Sequence, residues 1–278
     1  MLLQFHMTRA EDLEEEEEGG YNMKIEILNK NEREIEFIVD SVNPQFVNAL
    51  RRTMIGGIPI LAIKEVDFYE NSSALFDEIL AHRLSLIPLV FDPKDFVFRE
   101  ECSCEGKGCA RCQVVFVLDK KGPCIVRAGD LKSTHENVKP LYPEMPIVEL
   151  LEGQSVKLEA VAVLGFGREN ARWQAAKAFY RYYPVVEKEG SKTEEAIKAC
   201  PKGALKKENG KLTVSKECDL CGECMKVDKD LVIKGDETKI IFKVESVSGL
   251  SAEQIVLKAV EILENQLKDL KKQIEKIK

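Results

Sequence analysis

Residues 43–59 read NPQFVNALRRTMIGGIP, a pattern that predicts an amphipathic helix with both of its ends specified. Asn43 can cap the helix, and Pro44 suits its first position because that position needs no backbone N–H. Apolar residues then recur at every fourth position, which places them on one face: Phe46, Leu50 and Met54. A glycine pair at positions 56 and 57 ends the pattern.

A β-hairpin is predicted immediately before this helix. Residues 24–28 and 34–39 alternate apolar and polar side chains, and the intervening residues 29–32 are polar. Further upstream, residues 1–22 combine an acidic run with a glycine pair, and they hold too little apolar surface to offset the entropy of ordering. We therefore expect a disordered acidic leader and a fold that begins near Met23.

The middle of the chain predicts strands more than helices. Residues 60–164 hold several short strand-like runs, a helical pattern over 75–84 and a proline-rich stretch, which together indicate an inserted β-rich domain. Residues 171–182 predict a further helix that ends before Pro184. Strand signals return at residues 240–247.

The C-terminal segment predicts a long amphipathic helix. Its apolar residues are spaced alternately by four and three positions, as in a heptad seam: Val256, Val260, Leu263, Leu267, Leu270, Ile274 and Ile277. Ser251 and Gln254 form a capping box, and Leu250 and Ile255 are placed for a hydrophobic staple. A helix of about 28 residues is about 42 Å long, more than one small domain covers. We therefore expect part of the seam to pack on a partner chain; the alternative is packing on this chain's own sheet.

Composition narrows the functional classes. The formal charge of the 278-residue chain is -7, and residues 1–22 carry seven acidic residues against one arginine, so the remaining chain is nearly neutral. That balance argues against a protein that grips phosphate backbones by itself. No apolar run approaches the roughly 20 residues that span a bilayer, and the first residues make a poor signal peptide. We expect a cytoplasmic protein.

One group of cysteines matches part of the bacterial ferredoxin motif, C-x2-C-x2-C-x3-C-P, in which the fourth cysteine binds the other of two clusters. The matching residues are Cys218, Cys221, Cys224 and, followed by a proline, Cys200. Asp228 stands where the second run would carry its fourth cysteine. The pattern predicts one 4Fe-4S cluster whose twin has been lost; a 3Fe-4S cluster, a zinc ion on the same thiolates or cysteines that merely pack are the alternatives. With one cluster encoded, a structural or redox-sensing role is favoured over electron transport.

A second group has the spacing C-x-C-x4-C-x2-C, formed by Cys102, Cys104, Cys109 and Cys112. Two glycines between its pairs allow the loop to fold back. Four thiolates suit a closed tetrahedral zinc site with no open position for a substrate, so we expect a structural ion. A pair of disulfides or a vacant knuckle is the alternative.

No catalytic constellation stands out in the sequence. We find no Ser, His and Asp arrangement, no paired-carboxylate motif and no phosphate-binding loop. The chain is therefore expected to catalyse nothing by itself.

Two helical stretches carry a family resemblance. Residues 46–52, FVNALRR, with Ile58-Pro59, resemble one signature of the α-like RNA polymerase subunits, and residues 78–84, EILAHRL, with residues 86–89, LIPL, resemble the second. Together with a ferredoxin-like insert, they resemble the archaeal branch of that family, whose members are the counterparts of the third-largest eukaryotic subunit and of bacterial α.

The resemblance implies an α+β fold. Its discontinuous dimerisation domain would comprise residues 23–59, 168–190 and 232–278. It would be interrupted by a β-rich domain with the cysteine knuckle, residues 60–167, and by a ferredoxin-like iron-sulfur domain, residues 191–231.

The resemblance also implies a function and partners. The chain would be a non-catalytic assembly platform of archaeal DNA-dependent RNA polymerase that pairs with the small subunit L, recruits subunits N and P and docks the two large catalytic subunits. DNA and RNA would be contacted only indirectly. The expected interface comprises Phe46, Leu50, Arg51, Arg52, Val256, Val260, Leu263, Leu267, Leu270 and Ile274.

Three alternatives stay open at this point. Arg51 and Arg52 can present guanidinium groups to a large subunit, or they can form a solvated basic face. The whole chain can instead be an iron-sulfur electron-transfer or redox-sensing protein that uses an α-like docking scaffold. A free-standing DNA-binding regulator is disfavoured by the nearly neutral charge outside the leader.

Overall fold

The computed structural model describes residues 23–277. The leader expected at residues 1–22 lies outside this part of the chain. The chain divides into two compact units. The first comprises the described part of Met1–Lys30 with Ile35–Ala49 and Phe179–Lys243, and the second comprises Asn31–Glu34, Leu50–Ala178 and Val244–Lys278.

Strands outweigh helices, and the α+β class predicted from the sequence is confirmed. The strands are β1 (Lys24–Lys30), β2 (Glu34–Asp40), β3 (Pro59–Asn71), β4 (Leu89–Val90), β5 (Val114–Lys121), β6 (Cys124–Arg127), β7 (Lys132–Ser133), β8 (Lys139–Pro140), β9 (Pro146–Leu150), β10 (Ser155–Phe166), β11 (Ala176–Lys188), β12 (Leu205–Glu208), β13 (Lys211–Val214) and β14 (Val232–Ser246). The α-helices are α1 (Pro44–Gly56), α2 (Asp77–Ser85), α3 (Thr193–Ala199), α4 (Glu223–Val227) and α5 (Ala252–Glu275).

The first unit is built on a sheet in the order β1-β2-β14-β11. The predicted hairpin is confirmed, since β1 and β2 pair antiparallel, with Ile25 opposite Val39. Phe37 on β2 stacks on Phe242 of β14 with ring centroids 5.4 Å apart, which fixes the middle of the sheet. Residues 191–231, for which the sequence predicts a ferredoxin-like domain, also lie within this unit.

The second unit is built on a sheet in the order β3-β10-β5-β7, with the shorter pairs β4-β8 and β6-β9 beside it. β10 pairs antiparallel with both β3 and β5. Fully buried side chains of these strands form the core: Leu61, Ile63, Phe116, Leu118 and Leu158. Helix α2, predicted at residues 75–84, packs near β3 and buries Leu80 and Leu84.

The predicted starts of the two amphipathic helices are confirmed. The Oδ1 atom of Asn43 accepts the backbone N–H of Phe46 at 2.8 Å, which caps α1. At α5, Ser251 Oγ accepts the N–H of Gln254 at 3.2 Å, and Gln254 Oε1 accepts the N–H of Ser251 at 2.9 Å, forming the capping box. The α5 helix has 24 residues and is therefore about 36 Å long.

The prediction of a helix at residues 171–182 is wrong. Ala171–Trp173 forms one turn of 3-10 helix, and the chain then continues as strand β11. Its Phe, Tyr and Val residues favour a pleated strand over a helix, and β11 is an edge strand, the position in a sheet at which a proline such as Pro184 is tolerated. The turn is fixed by Trp173, whose Nε1 donates to the carbonyl of Val163 at 3.1 Å.

Within residues 23–277, no helix has both the length and the apolar character needed to cross a membrane.

The start of α5 is held by Arg33, in the turn between β1 and β2. Its Nη2 atom donates to the carbonyls of Ser246 at 3.3 Å and Ser248 at 2.5 Å, and its Nη1 atom donates to the carbonyl of Leu250 at 3.4 Å. In the opposite direction, the N–H of Ala252 donates to the carbonyl of Glu32 at 3.0 Å. The hairpin turn thereby fixes the segment from which α5 begins.

We predict that Arg33→Met destabilises the chain by about 2 kcal/mol, because three carbonyls lose a charged donor and are left without it in a partly buried loop. Urea unfolding of the full chain, followed by circular dichroism, measures this change. The matched control is Arg83→Met on α2, which removes the same charge from an exposed position. Equal stability of the two variants would contradict the prediction.

Candidate metal centres and interface helix

The cysteine quartet of residues 102–112 is folded into a compact loop between the short helix Arg99–Glu101 and strand β5. Glu105, Gly106 and Gly108 all adopt positive φ angles, which turn the loop back on itself. The N–H of Glu105 donates to the carbonyl of Cys102 at 3.0 Å, and the N–H of Cys112 donates to that of Cys109 at 3.0 Å. The backbone thus places the two cysteine pairs face to face.

The four Sγ atoms lie within 4.8 Å of one another, so these residues could hold a metal ion. The distance is 3.5 Å between Cys102 and Cys109, 3.6 Å between Cys104 and Cys112, and 3.9 Å between Cys109 and Cys112. Among residues 23–277, no second set of possible ligands is gathered this closely. The structure therefore brings together the four cysteines of the knuckle, the loop of residues 102–112, as their spacing predicted.

The local environment differs among these thiols. Burial raises the pKa of Cys112 to about 11. Burial also acts to raise the pKa of Cys104, but hydrogen bonds from the Cys102 thiol and from the backbone at Gly108 outweigh it and lower the pKa to about 6. A lowered pKa favours the thiolate form of Cys104, and the thiolate is the form of cysteine that binds a metal ion.

The second quartet lines one pocket in the first unit. Cys200 follows directly after α3, Cys224 lies in α4, and Cys218 and Cys221 lie in the loop before α4. The pocket is walled by all four cysteines together with apolar residues: Leu205, Leu220, Met225 and Ile233. Leu220 and Gly222 have φ angles of 60° and 80°, which curl the loop around the pocket. Cysteines 24 positions apart in sequence are thereby brought to one site.

Exposure varies around this pocket. Cys218 and Cys224 are buried, Cys200 is half-buried and Cys221 is exposed. Burial raises the pKa of Cys218 and of Cys224. The N–H of Ala204 donates to Cys200 Sγ at 3.4 Å, the kind of contact that stabilises sulfur carrying negative charge.

Two arginines that belong to no motif support the cysteine loops. Arg99 Nη2 donates to Gln113 Oε1 at 2.6 Å, and the Gln113 side chain lies against Gly108 of the knuckle. Arg181 Nη1 donates to the carbonyls of Lys216 and Cys218. Sequence reasoning missed both, because neither arginine has a spacing that connects it to the loop it holds.

Helix α5 presents two apolar faces. Its buried residues are Ala252, Ile255 and Ala259, which pack on the chain itself. The heptad seam lies about 60° around the helix from that face, since successive residues turn by about 100°. Its first three residues, Val256, Val260 and Leu263, are half-buried. Its later residues are exposed: Leu267 by 63%, Leu270 by 53% and Ile274 by 52%.

The predicted interface residues on α1 lie in different environments. Leu50 is buried within the chain, whereas Phe46 and Arg51 are half-buried and Arg52 is exposed. Of this set, Arg52 is the most accessible to another protein.

Comparison with known proteins gives matches along most of the chain. Residues 63–185 match the family model described as RNA polymerase Rpb3/RpoA insert domain. The DNA-directed RNA polymerase subunit Rpo3 of Methanosphaera stadtmanae is 40% identical over 256 residues, which cover 87% of this chain and 94% of the relative. Its counterpart in Methanothermobacter thermautotrophicus is 40% identical, covering 88% and 96%. The one in Archaeoglobus fulgidus is 37% identical, covering 91% and 98%.

We predict that Cys112→Ser removes about one metal ion per chain, because three thiolates no longer close a four-coordinate site. Elemental analysis of the anaerobically purified chain measures the change. Cys124→Ser, which alters a cysteine outside both quartets, is the control and should keep the full metal content. Unchanged metal in the Cys112→Ser chain would exclude the quartet as a binding site.

Proposed function

Because the chain belongs to the family of archaeal DNA-directed RNA polymerase subunit Rpo3, we propose that it is a non-catalytic assembly subunit of that polymerase. The membership confirms the resemblance predicted from residues 46–52 and 78–84. Such a subunit provides surfaces to which the other subunits bind during assembly. In this role the chain would act in the cytoplasm.

The observation that carries this proposal is the exposed part of the α5 seam. Leu267, Leu270 and Ile274 lie along one side of the helix and are each more than half exposed. A contiguous apolar stripe of this kind is costly in water and is typical of a surface that another chain covers. The heptad spacing indicates that the covering element is a helix, which inserts its side chains between those of α5.

We propose that the small subunit L supplies this helix. The dimerisation domain would comprise residues 23–59, 168–190 and 232–278, with the β-rich domain 60–167 and the ferredoxin-like domain 191–231 as insertions. Subunits N and P and the two large catalytic subunits would join afterwards. Arg52 supports a further contact, because an exposed guanidinium can bind a carboxylate of a large subunit in a bidentate manner.

For the knuckle, we propose a structural zinc ion held by Cys102, Cys104, Cys109 and Cys112. A tetrahedral ion with four thiolates at about 2.3 Å requires Sγ atoms about 3.8 Å apart. The distances of 3.5, 3.6 and 3.9 Å fit that requirement, whereas a disulfide needs its sulfurs at about 2.0 Å. All four coordination positions are filled by protein, so the ion would stabilise the loop and take no substrate.

For the pocket, we propose one iron-sulfur cluster of the 4Fe-4S or 3Fe-4S type held by Cys200, Cys218, Cys221 and Cys224. Four iron atoms separate their ligands more widely than a single ion does. In line with this, these thiols line a common pocket without the close sulfur-to-sulfur approach of the knuckle. The small apolar core around them is formed by few residues, so a bound cluster would add stability that the residues alone do not supply.

The alternative function, an electron-transfer or redox-sensing protein on an α-like scaffold, is not supported. The relatives that match over 87 to 91% of the chain are named as polymerase subunits. A cluster that only stabilises the fold of its domain is compatible with a polymerase subunit, because such a cluster needs no redox partner.

We predict that the double variant Leu267→Glu with Leu270→Glu loses pairing with subunit L, because two charges would be buried in an apolar seam. Co-expression with tagged L and measurement of the retained chain test this. Asn265→Glu, a charge on the opposite and exposed side of α5, is the matched control and should pair normally. If the double variant pairs as well as the control, the seam is not the interface.

We predict that Cys200→Ser with Cys218→Ser leaves pairing with L intact but reduces later incorporation into polymerase. The reason is that the cluster would hold residues 191–231 in shape, while the seam lies on α5. Pull-down with L and purification of assembled polymerase measure the two steps separately. Equal loss at both steps would show that the cluster does not act late in assembly.

A further inference from the structure

Asp228 occupies the position at which a two-cluster ferredoxin motif carries its last cysteine, yet it is buried, with 1% of its surface exposed. A carboxylate is retained in such a place only when hydrogen bonds compensate for the loss of water. Its partners therefore indicate what it does.

The side chain binds backbone groups on two segments. Oδ2 accepts the N–H of Lys192 at 2.7 Å, just before α3, and Oδ1 accepts the N–H of Asp230 at 3.3 Å. The N–H of Asp228 itself donates to the carbonyl of Cys224 at 3.0 Å. Asp228 thus connects the end of α4, which carries Cys224, to the start of α3, which leads to Cys200.

The Asp228 carboxylate lies very close to the backbone at Gly190. A Cβ atom added at Gly190 would overlap the Asp228 carboxylate, so the turn before α3 reaches the side chain only because residue 190 is glycine. The carboxylate does not line the pocket of the four cysteines. It is therefore oriented toward the backbone of the neighbouring segment and away from any metal in that pocket.

We propose that Asp228 is a positioning residue for the cluster site, which replaces with hydrogen bonds the connection that a second cluster would make. It holds α3 against α4 and so keeps Cys200 in reach of Cys218, Cys221 and Cys224. This inference rests on the proposed cluster and deepens it, since it explains how the fold retains one site after losing the other.

The test is anaerobic reconstitution of the full chain with ferrous iron and sulfide. Iron per chain and the lifetime of the visible absorption in air are measured for four variants. In Asp228→Ala the backbone N–H of Lys192 loses its acceptor, and we expect the absorption lifetime to fall about tenfold. Asp228→Asn keeps an acceptor oxygen and should stay closer to the wild-type value. Gly190→Ala displaces the carboxylate without removing it and should resemble Asp228→Ala.

Asp230→Asn is the matched control. Asp230 is exposed and accepts a hydrogen bond from Ser191 at 3.1 Å, so it makes a surface bridge between the same two segments. It should load and keep iron as the wild type does. Pairing with L should be unchanged in all four variants, which separates an effect on the cluster from general unfolding.

Wild-type iron content and lifetime in both Asp228→Ala and Gly190→Ala would overturn the role of Asp228 while leaving the cluster in place. If Asp228→Ala does not fold, the iron content and the absorption lifetime of Gly190→Ala alone test the role of Asp228. A wild-type chain that takes up no iron would overturn the cluster and, with it, this inference.

Discussion

Apolar side chains along α5 face two environments, and the proposed assembly role depends on that division. Ala252, Ile255 and Ala259 are buried against the chain, whereas Leu267, Leu270 and Ile274 remain exposed. The helix is long enough to anchor at its first turns and still present an apolar stripe beyond them. Hydrogen bonds from Arg33 and the capping box at Ser251 fix the start of the helix, and the stripe is thereby held in a fixed place.

The two cysteine quartets lie in parts of the chain that have little apolar core of their own. The loop of residues 102–112 and the segment 191–231 are each too small to bury a large core, and ligands that bind only the folded form stabilise such regions. The quartets differ in geometry: one gathers its sulfurs within 4.8 Å, and the other distributes them around a pocket. That difference is the reason why we propose a single ion for the first quartet and a cluster for the second. In the role that we propose for it, Asp228 would connect two segments by hydrogen bonds where a two-cluster motif carries a cysteine.

Much of the fold could be predicted because its signals are local. The cap at Asn43, the capping box at Ser251 and the β1-β2 hairpin each depend on residues within a few positions of one another, and each was found as predicted. Residues 171–182 could not be predicted in this way. Their strand conformation depends on pairing at the edge of a sheet with β14, more than 50 positions later in sequence, which a helical pattern read locally does not reveal.

The sequence by itself determined the starts of α1 and α5, the family signatures and the spacing of the cysteines, because each depends on neighbours along the chain. Only the tertiary structure decided which part of the α5 seam stays exposed, because burial depends on what else packs there. It also assigned partners to Arg33 and Asp228, whose contacts lie as far as 217 and 36 residues away. Hydrogen bonds between such distant groups leave no periodic trace in a sequence, since their geometry exists only after the chain has folded.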